Sequence, residues 1–333
     1  GPARREGCAK DPQKGDGQRR RKDLIMQFKN TGKNWNALGS MALTGLATLL
    51  ILAILAVIVG NIVIHGWTRL NWTFLTHGVQ EGMEGPDTGI FPMIFGTVAL
   101  VFLMTLIVMP VGVITAIYLS EYTRRTSLMS RAIRTAVNNL AGVPSVVFGL
   151  FGLGFFIHFV GGGIDTLFYG GKLHFGKGNL LWASATMSVL TMPVVIVATE
   201  EALRAVPRSF REGSMALGAT KLETIWKIVL PQASSGIVTG GILALSRAAG
   251  EVAPIMLTGA AFYMATVPTH VNDQFMALGY HIYVLSTQSP DVERTKPLLY
   301  ASVLVLLILT FLLNSVAVGL RYHLRKKYRT VTG

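Results

Sequence analysis

Residues 201–231 read EALRAVPRSFREGSMALGATKLETIWKIVLP. This polar, arginine-bearing stretch lies between two hydrophobic runs, at about 180–199 and 236–260. A segment that only joined two membrane helices could be far shorter, so its length and charge suggest a surface offered to something outside the membrane. Two local patterns give it a shape. Ser209-Phe210-Arg211-Glu212 and Thr220-Lys221-Leu222-Glu223 both have the hydroxyl-x-x-carboxylate spacing of a capping box, in which hydroxyl and glutamate satisfy each other's open amides. Gly218 stands where the first helix needs a left-handed residue to end, and Pro231 follows the second. The expected element is a helix–turn–helix hairpin with Met215, Ala216, Ala219 and Leu222 around its turn. Such an apolar knob on a charged hairpin suits docking into a cleft of a soluble partner, and equally an amphipathic hairpin lying on the lipid surface.

Working outward, apolar runs fall at about 38–64, 90–119, 139–160, 180–199, 236–260 and 298–320. Each is near or above the roughly 20 residues that cross about 30 Å of hydrocarbon as a helix. The chain of 333 residues is 51% hydrophobic and 14% charged, with mean hydropathy +0.49, so lipid is the solvent for most of it. The expected fold is an all-α integral membrane protein with six transmembrane helices. Pro110, Pro144, Pro193 and Pro254 fall within the second to fifth runs, where proline kinks a helix and frees a carbonyl.

Lys and Arg set the orientation. Residues 1–36, 121–137, 200–235 and 321–333 hold 24 of the 30, and the three intervening polar segments hold 5. The positive-inside rule places the first set and both termini in the cytoplasm. Seven acids (Glu81, Glu84, Asp87, Asp165, Asp273, Asp291 and Glu293) fall on the other side, and Trp67 and Trp72 flank the first run as interfacial anchors. The domain reading is a basic, disordered tail over 1–36, a transmembrane domain over 37–320 with the polar loop at 200–235, and a second basic tail over 321–333.

The net charge of +13 lies in short segments between apolar runs, which argues against nucleic acid as a partner. A lone Cys8 excludes an intramolecular disulfide and a CxxC site, and the seven histidines have no metal-ligand spacing. The first run is too long for the apolar core of a signal peptide. No GxxxxGK[ST] occurs, so ATP is not bound here in the P-loop manner. The chain itself is expected to be no enzyme and to bind no cofactor or metal.

Arg247 and Glu251 lie inside the fifth run. A mid-membrane arginine costs about 2.5–3.5 kcal/mol on insertion scales. At i,i+4 the two share a stripe with Gly240, Ala244, Gly250, Pro254 and Thr258. They are either an ion pair that neutralises itself or a site where Arg247 meets an anion in transit, since guanidinium matches an oxyanion bidentately. Gly236-Ile-Val-Thr-Gly240 reads as a close helix–helix seam. Gly142-Val143-Pro144-Ser145 is a packing kink or exposed backbone. Glu200–Glu201 face Arg204 one turn on, as ion pairs rather than a gate. Arg124, Arg125, Arg131 and Arg134 serve topology and anionic headgroups.

The loop resembles the EAA signature of ABC-importer permeases: Glu212-Gly213-Ser214, Gly218 six positions after the glutamate, then Ile228-x-Leu230-Pro231. Gly213 and Ser214 replace the two alanines. The runs LAGVPSVVFGLFGL (140–153), EEALRAVPRSFREGSMALGAT (200–220) and LSRAAGEVAPIMLTG (245–259) further resemble PstA-type permeases of the bacterial phosphate importer, from about residue 90 to 320. That resemblance implies the MetI-like architecture of type I importer permeases, with the hairpin as a coupling helix seated on a nucleotide-binding subunit. It implies a bacterial inner-membrane location, a PstC-like second permease, two PstB-like ATPase subunits, a PstS-like binding protein and inorganic phosphate as cargo. It makes Arg247 and Glu251 pathway residues, and Glu212, Gly213, Ser214, Met215, Ala216, Gly218, Ala219, Leu222 and Pro231 ATPase-coupling residues. The PstC-type sister permease, a permease for another oxyanion or for amino acids, and, as a different class, an ion-coupled secondary transporter remain open.

Overall fold

The computed structural model describes residues 35–79, 88–123, 126–264 and 266–329. Expectations for the 1–34 tail, for Glu81, Glu84 and Asp87, and for Arg124 and Arg125 lie outside the described residues. Within these, the regular structure is helical: α1 (Trp35–Trp67), α2 (Trp72–Thr76), α3 (Phe91–Ile117), α4 (Leu128–Ala141), α5 (Ser145–Phe151), α6 (Gly162–Phe168), α7 (Leu180–Ala205), α8 (Arg208–Ala216), α9 (Lys221–Thr224), α10 (Leu230–Ala248), α11 (Ala253–Thr258), α12 (Leu278–Thr287) and α13 (Val292–Arg329). Three π turns widen it, over Tyr118–Tyr122, Gly152–Gly161 and Ile225–Val229. Six helical stretches are long and apolar enough to cross a membrane: Gly39–Trp67, Phe91–Tyr122, Ser145–Phe168, Leu180–Ala205, Lys221–Ala248 and Glu293–His323.

The chain divides into two units, Gly1–Asn61 and Ile62–Gly333. In the first, α1 carries Leu43, Leu49, Leu50 and Val57 exposed. A helix apolar on every face has lipid as its natural surroundings.

In the second unit α7 is the axis, with Ala183, Met187 and Val195 fully buried. Its middle packs with Leu100, Met104 and Val108 of α3, Ala244 of α10 and Ile255 of α11. The hydroxyls of Ser184, Thr186, Ser188 and Thr191 on α7 find partners inside the bundle, as apolar surroundings demand, whereas that of Thr199 is buried with none among the described residues. Ser188 donates to the carbonyls of Met104 and Ser184, at 3.1 and 2.7 Å. At the hairpin end, Ile196 and Leu203 of α7 join Ala116, Leu119, Val229 and Ile237. At the opposite end, Phe74, Met93, Leu278, Leu285, Leu298 and Ala301 form a separate cluster.

The GxxxG seam forms as the sequence suggests. A Cβ on Gly236 would stand 2.4 Å from Ala202 Cβ, and one on Gly240 2.8 Å from Ala198 Cβ, so α10 lies directly on α7 over four small residues.

Two of the four prolines do not act as kinks. Pro110 and Pro193 stand inside α3 and α7. Pro144 is instead the N-cap of α5, in extended geometry, and the third span runs over Ser145–Phe168 rather than 139–160. A proline pushes the preceding residue out of the helical region, so α4 stops at Ala141 and the chain restarts. Pro254 lies in the first turn of α11, where its missing N–H costs nothing. The fifth run is therefore not one helix over 236–260: α10 begins earlier, ends at Ala248, and residues 251–252 are non-helical.

Candidate functional site

The hairpin is built from short-range hydrogen bonds. α8 ends in a Schellman motif: Gly218 takes φ +88°, its N–H donates to Met215 O at 3.0 Å, and the Ala219 N–H donates to Ser214 O at 3.2 Å. Thr220 then caps α9. Its hydroxyl accepts from the Glu223 N–H at 3.3 Å, and the Glu223 carboxylate accepts from the Thr220 N–H at 3.0 Å, so the second capping box is complete.

The first box is not. α8 begins at Arg208, with Pro207 as N-cap and no side-chain cap. Ser209 is thus already one residue inside the helix, where its hydroxyl cannot play the cap. Pro231 also departs from expectation. It does not end the second helix; α9, the π turn Ile225–Val229 and α10 run on as one stretch. The widened turn gives room to a ring that would otherwise press on the carbonyl four residues earlier.

Ser214 points inward. It is 8% exposed and its hydroxyl lies 2.9 Å from that of Thr224, which fastens the two arms. This contact explains why a small hydroxyl suits a position that is alanine in the motif. Gly213, Glu212, Met215 and Ala216 are exposed and Ala219 is partly covered. Leu222 is exposed. Sequence reasoning missed the most prominent apolar groups: Leu217, 92% exposed at the tip, and Trp226 on the π turn. Leu217 was legible in principle, because the residue before a left-handed glycine sits at the helix end.

Arg211 anchors the hairpin. It donates to Glu121 from Nη2 at 2.7 Å and from Nε at 3.2 Å, and to the carbonyls of Leu203 and Val206 at 2.8 and 2.7 Å. The last carbonyls of α7 are thereby satisfied, and the hairpin is tied to the π turn after α3. A cavity of about 710 Å³ opens beside this anchor, lined by Ser120, Glu121, Arg204, Arg208, Arg211 and Glu212.

The second candidate region is the break in the fifth span. Arg247 Nε donates to Glu251 Oε1 at 3.3 Å, with side chains 45% and 21% exposed. Gly240 and Ala244, on the same stripe, are buried against the bundle. The small residues therefore serve the seam, and the charged pair lies beyond it on open surface. The break is held from outside. A Cβ on Gly279 of α12 would stand 3.2 Å from Val252 Cγ2, and one on Gly149 of α5 would stand 3.1 Å from Pro254 Cα and 3.2 Å from Ala253 O. Ser246, next to Arg247, donates to Asn314 Oδ1 of α13 at 2.6 Å. Glu251 is half of a pair rather than a bare carboxylate.

Away from these regions, acids order the loops. Asp165 accepts from the N–H groups of His174, Phe175 and Gly176 at 2.9, 2.8 and 2.7 Å. Asp273 accepts from the His270 N–H, which holds its carboxyl below the ordinary value. No group of three or more His, Cys, Asp or Glu suited to a metal ion exists among the described residues.

The model of binding-protein-dependent transport system inner membrane components matches residues 108–330. The probable ABC transporter permease protein YqgI of Bacillus subtilis (strain 168) is 30% identical over 262 residues, covering 75% of this chain and 83% of its own. The probable phosphate transport system permease protein PstA of Methanocaldococcus jannaschii is 31% identical over 253 residues, covering 76% of this chain and 80% of its own. Among solved structures, a bacterial alginate ABC transporter in complex with alginate pentasaccharide-bound periplasmic protein is similar in fold, with TM-score 0.59 and 16% identity over 90% of this chain and 97% of that one.

Proposed function

Because this chain belongs to the binding-protein-dependent transport system inner membrane components, the permeases of ABC importers, we propose that it is a permease subunit of an ATP-driven importer of inorganic phosphate. In such importers ATP is hydrolysed on a separate subunit, and this chain contributes a multi-pass membrane path. The single observation that carries the substrate reading is the Arg247–Glu251 pair, at the helix break of the fifth span and open on one side. Arg247 donates to Glu251 from Nε and its side chain is 45% exposed, so its Nη edge can meet an oxyanion. The sequence likeness to a relative named for phosphate transport supports the same cargo.

Glu251 holds Arg247 while the path is empty and yields when phosphate arrives. Phosphate keeps a proton near neutral pH and can donate it to the carboxylate; sulfate has none, which leaves two anions opposed. The hairpin, with Leu217, Met215 and Leu222 at its tip, seats on a nucleotide-hydrolysing subunit, which carries the ATP and Mg2+. A PstC-like second permease completes the path, two PstB-like ATPase subunits drive it and a PstS-like protein delivers phosphate. The distribution of Lys and Arg supports an orientation with residues 1–36 and 321–333 in the cytoplasm, and the likeness to a Bacillus subtilis permease supports a bacterial inner-membrane location.

Uptake by the complete transporter in proteoliposomes tests this reading. Arg247→Gln should lose most phosphate uptake while ATP hydrolysis persists. Glu251→Gln should lower the preference for phosphate over sulfate. If both variants match the wild type in rate and in preference, the pair is structural and the reading fails.

A further inference from the structure

Glu200 lies just over one turn before the end of α7 and is 7% exposed. Its Oε1 accepts from two guanidiniums. Arg204 reaches it from the next turn of α7, and Arg134 reaches it from α4, 66 positions away in the chain. Arg134 also donates from Nη2 to the Leu119 carbonyl at 3.0 Å and from Nε to the Ser130 hydroxyl at 3.3 Å. Arg204 alone would neutralise the carboxylate within its own helix. The second arginine adds no needed charge; it ties α4 to α7. Arg134, grouped from the sequence with arginines that serve topology and anionic headgroups, thus also has a partner inside the protein.

The tie sits on a continuous set of contacts. On one side, Arg211 binds the hairpin to the Leu203 and Val206 carbonyls at the end of α7. On the other, α4 passes through Gly142-Val143-Pro144 into α5. There Gly149 lets α5 lie directly on Ala253 and Pro254 of α11, whose first residue follows Glu251 by two positions. We propose that Arg134, acting through Glu200, is a positioning residue that transmits displacement of the hairpin to the broken fifth span beside Arg247 and Glu251. The inference rests on the reading that an ATPase subunit moves the hairpin. Arg204 neutralises; Arg134 links.

Two variants separate the roles, because each leaves Glu200 with one guanidinium. The complete transporter carrying Arg134→Gln or Arg204→Gln is placed in proteoliposomes, and two ratios are read: phosphate moved per ATP hydrolysed, and ATP hydrolysis with over without the loaded binding protein. Arg134→Gln should lower both by about fivefold or more, the scale of a broken coupling contact, with basal hydrolysis within about twofold. Arg204→Gln should leave both ratios within about twofold of wild type. Arg134→Lys, which keeps the charge, should recover part of the loss, and it replaces Arg134→Gln if that variant does not assemble. Equal ratios for the position-134 and position-204 variants, whether both normal or both low, overturn the proposal. Failure of the wild type to move phosphate would instead sink the substrate reading, and the binding-protein stimulation ratio would still decide the role of Arg134.

Discussion

The hairpin and the broken fifth span each turn on a glycine and a proline, yet they are held by opposite means. In the hairpin, Gly218 adopts φ +88° and nearly every fastening lies within ten residues: the Schellman bonds, the Thr220–Glu223 box and the Ser214–Thr224 contact. At the break, the local fastenings are two long turn bonds, from the Gly250 and Glu251 N–H groups to Arg247 O and Ala248 O at 3.4 and 3.3 Å, and the Arg247–Glu251 pair, while Gly149 of α5 and Gly279 of α12 bring neighbouring helices directly against it. A device defined by its own hydrogen bonds can move as a body. A gap defined by its neighbours changes when they move. The first suits a handle, the second a gate.

The largest expected effect comes from breaking the neighbours' hold. Gly149→Leu places a side chain against Pro254 and Leu257. Overpacking costs about 1–3 kcal/mol, so phosphate uptake should fall roughly tenfold or more while the ATPase subunit still co-purifies. Loss of the ATPase subunit instead would mean that the two regions are not separable. Next is Gly218→Val, which forces a branched residue into the left-handed region at about 1–2 kcal/mol. Binding of the ATPase subunit should weaken roughly tenfold, measured by titration in detergent. Thr220→Ala removes one half of the capping box, worth about 1 kcal/mol, and should weaken that binding by roughly fivefold. Equal losses for Gly218→Val and Thr220→Ala would show that the hairpin is not governed by its turn.

The smallest effect is a control outside both regions. His281 on α12 is 4% exposed, with neither ring nitrogen partnered among the described residues. Burial lowers its pKa from 6.5 to about 4. The unfolded chain therefore takes up the proton first. Stability from this site is fully present above pH 6.5 and is lost as pH falls towards 4. His281→Leu should flatten the thermal-midpoint curve across that window and leave both transport ratios unchanged at neutral pH. An unchanged slope would count against a neutral buried ring.

The contrast also explains what could be read from the residues alone. Six apolar runs gave the number of spans, because length and hydropathy are local properties, while the third and fifth spans are displaced from their runs. Thr220, Glu223 and Gly218 gave the hairpin for the same reason. Ser209 misled because its spacing to Glu212 fits a cap, while Pro207 starts the helix two residues sooner. Gly250 and Pro254, four apart, are a stop followed by a start, and could have revealed the break. The Arg134–Glu200 tie had no such signal, since nothing in either segment names a partner 66 positions away.

The seam between α10 and α7 carries a further consequence. Where Gly236 and Gly240 meet Ala202 and Ala198, there are only hydrogens facing methyl groups. Each alanine methyl fills the hollow that a side chain on the facing glycine would occupy, so the two backbones meet at the shortest range the fold allows. The span that bears the arginine is thereby clasped to the bundle's axis, and one added methyl at Gly236 or Gly240 would prise the two helices apart.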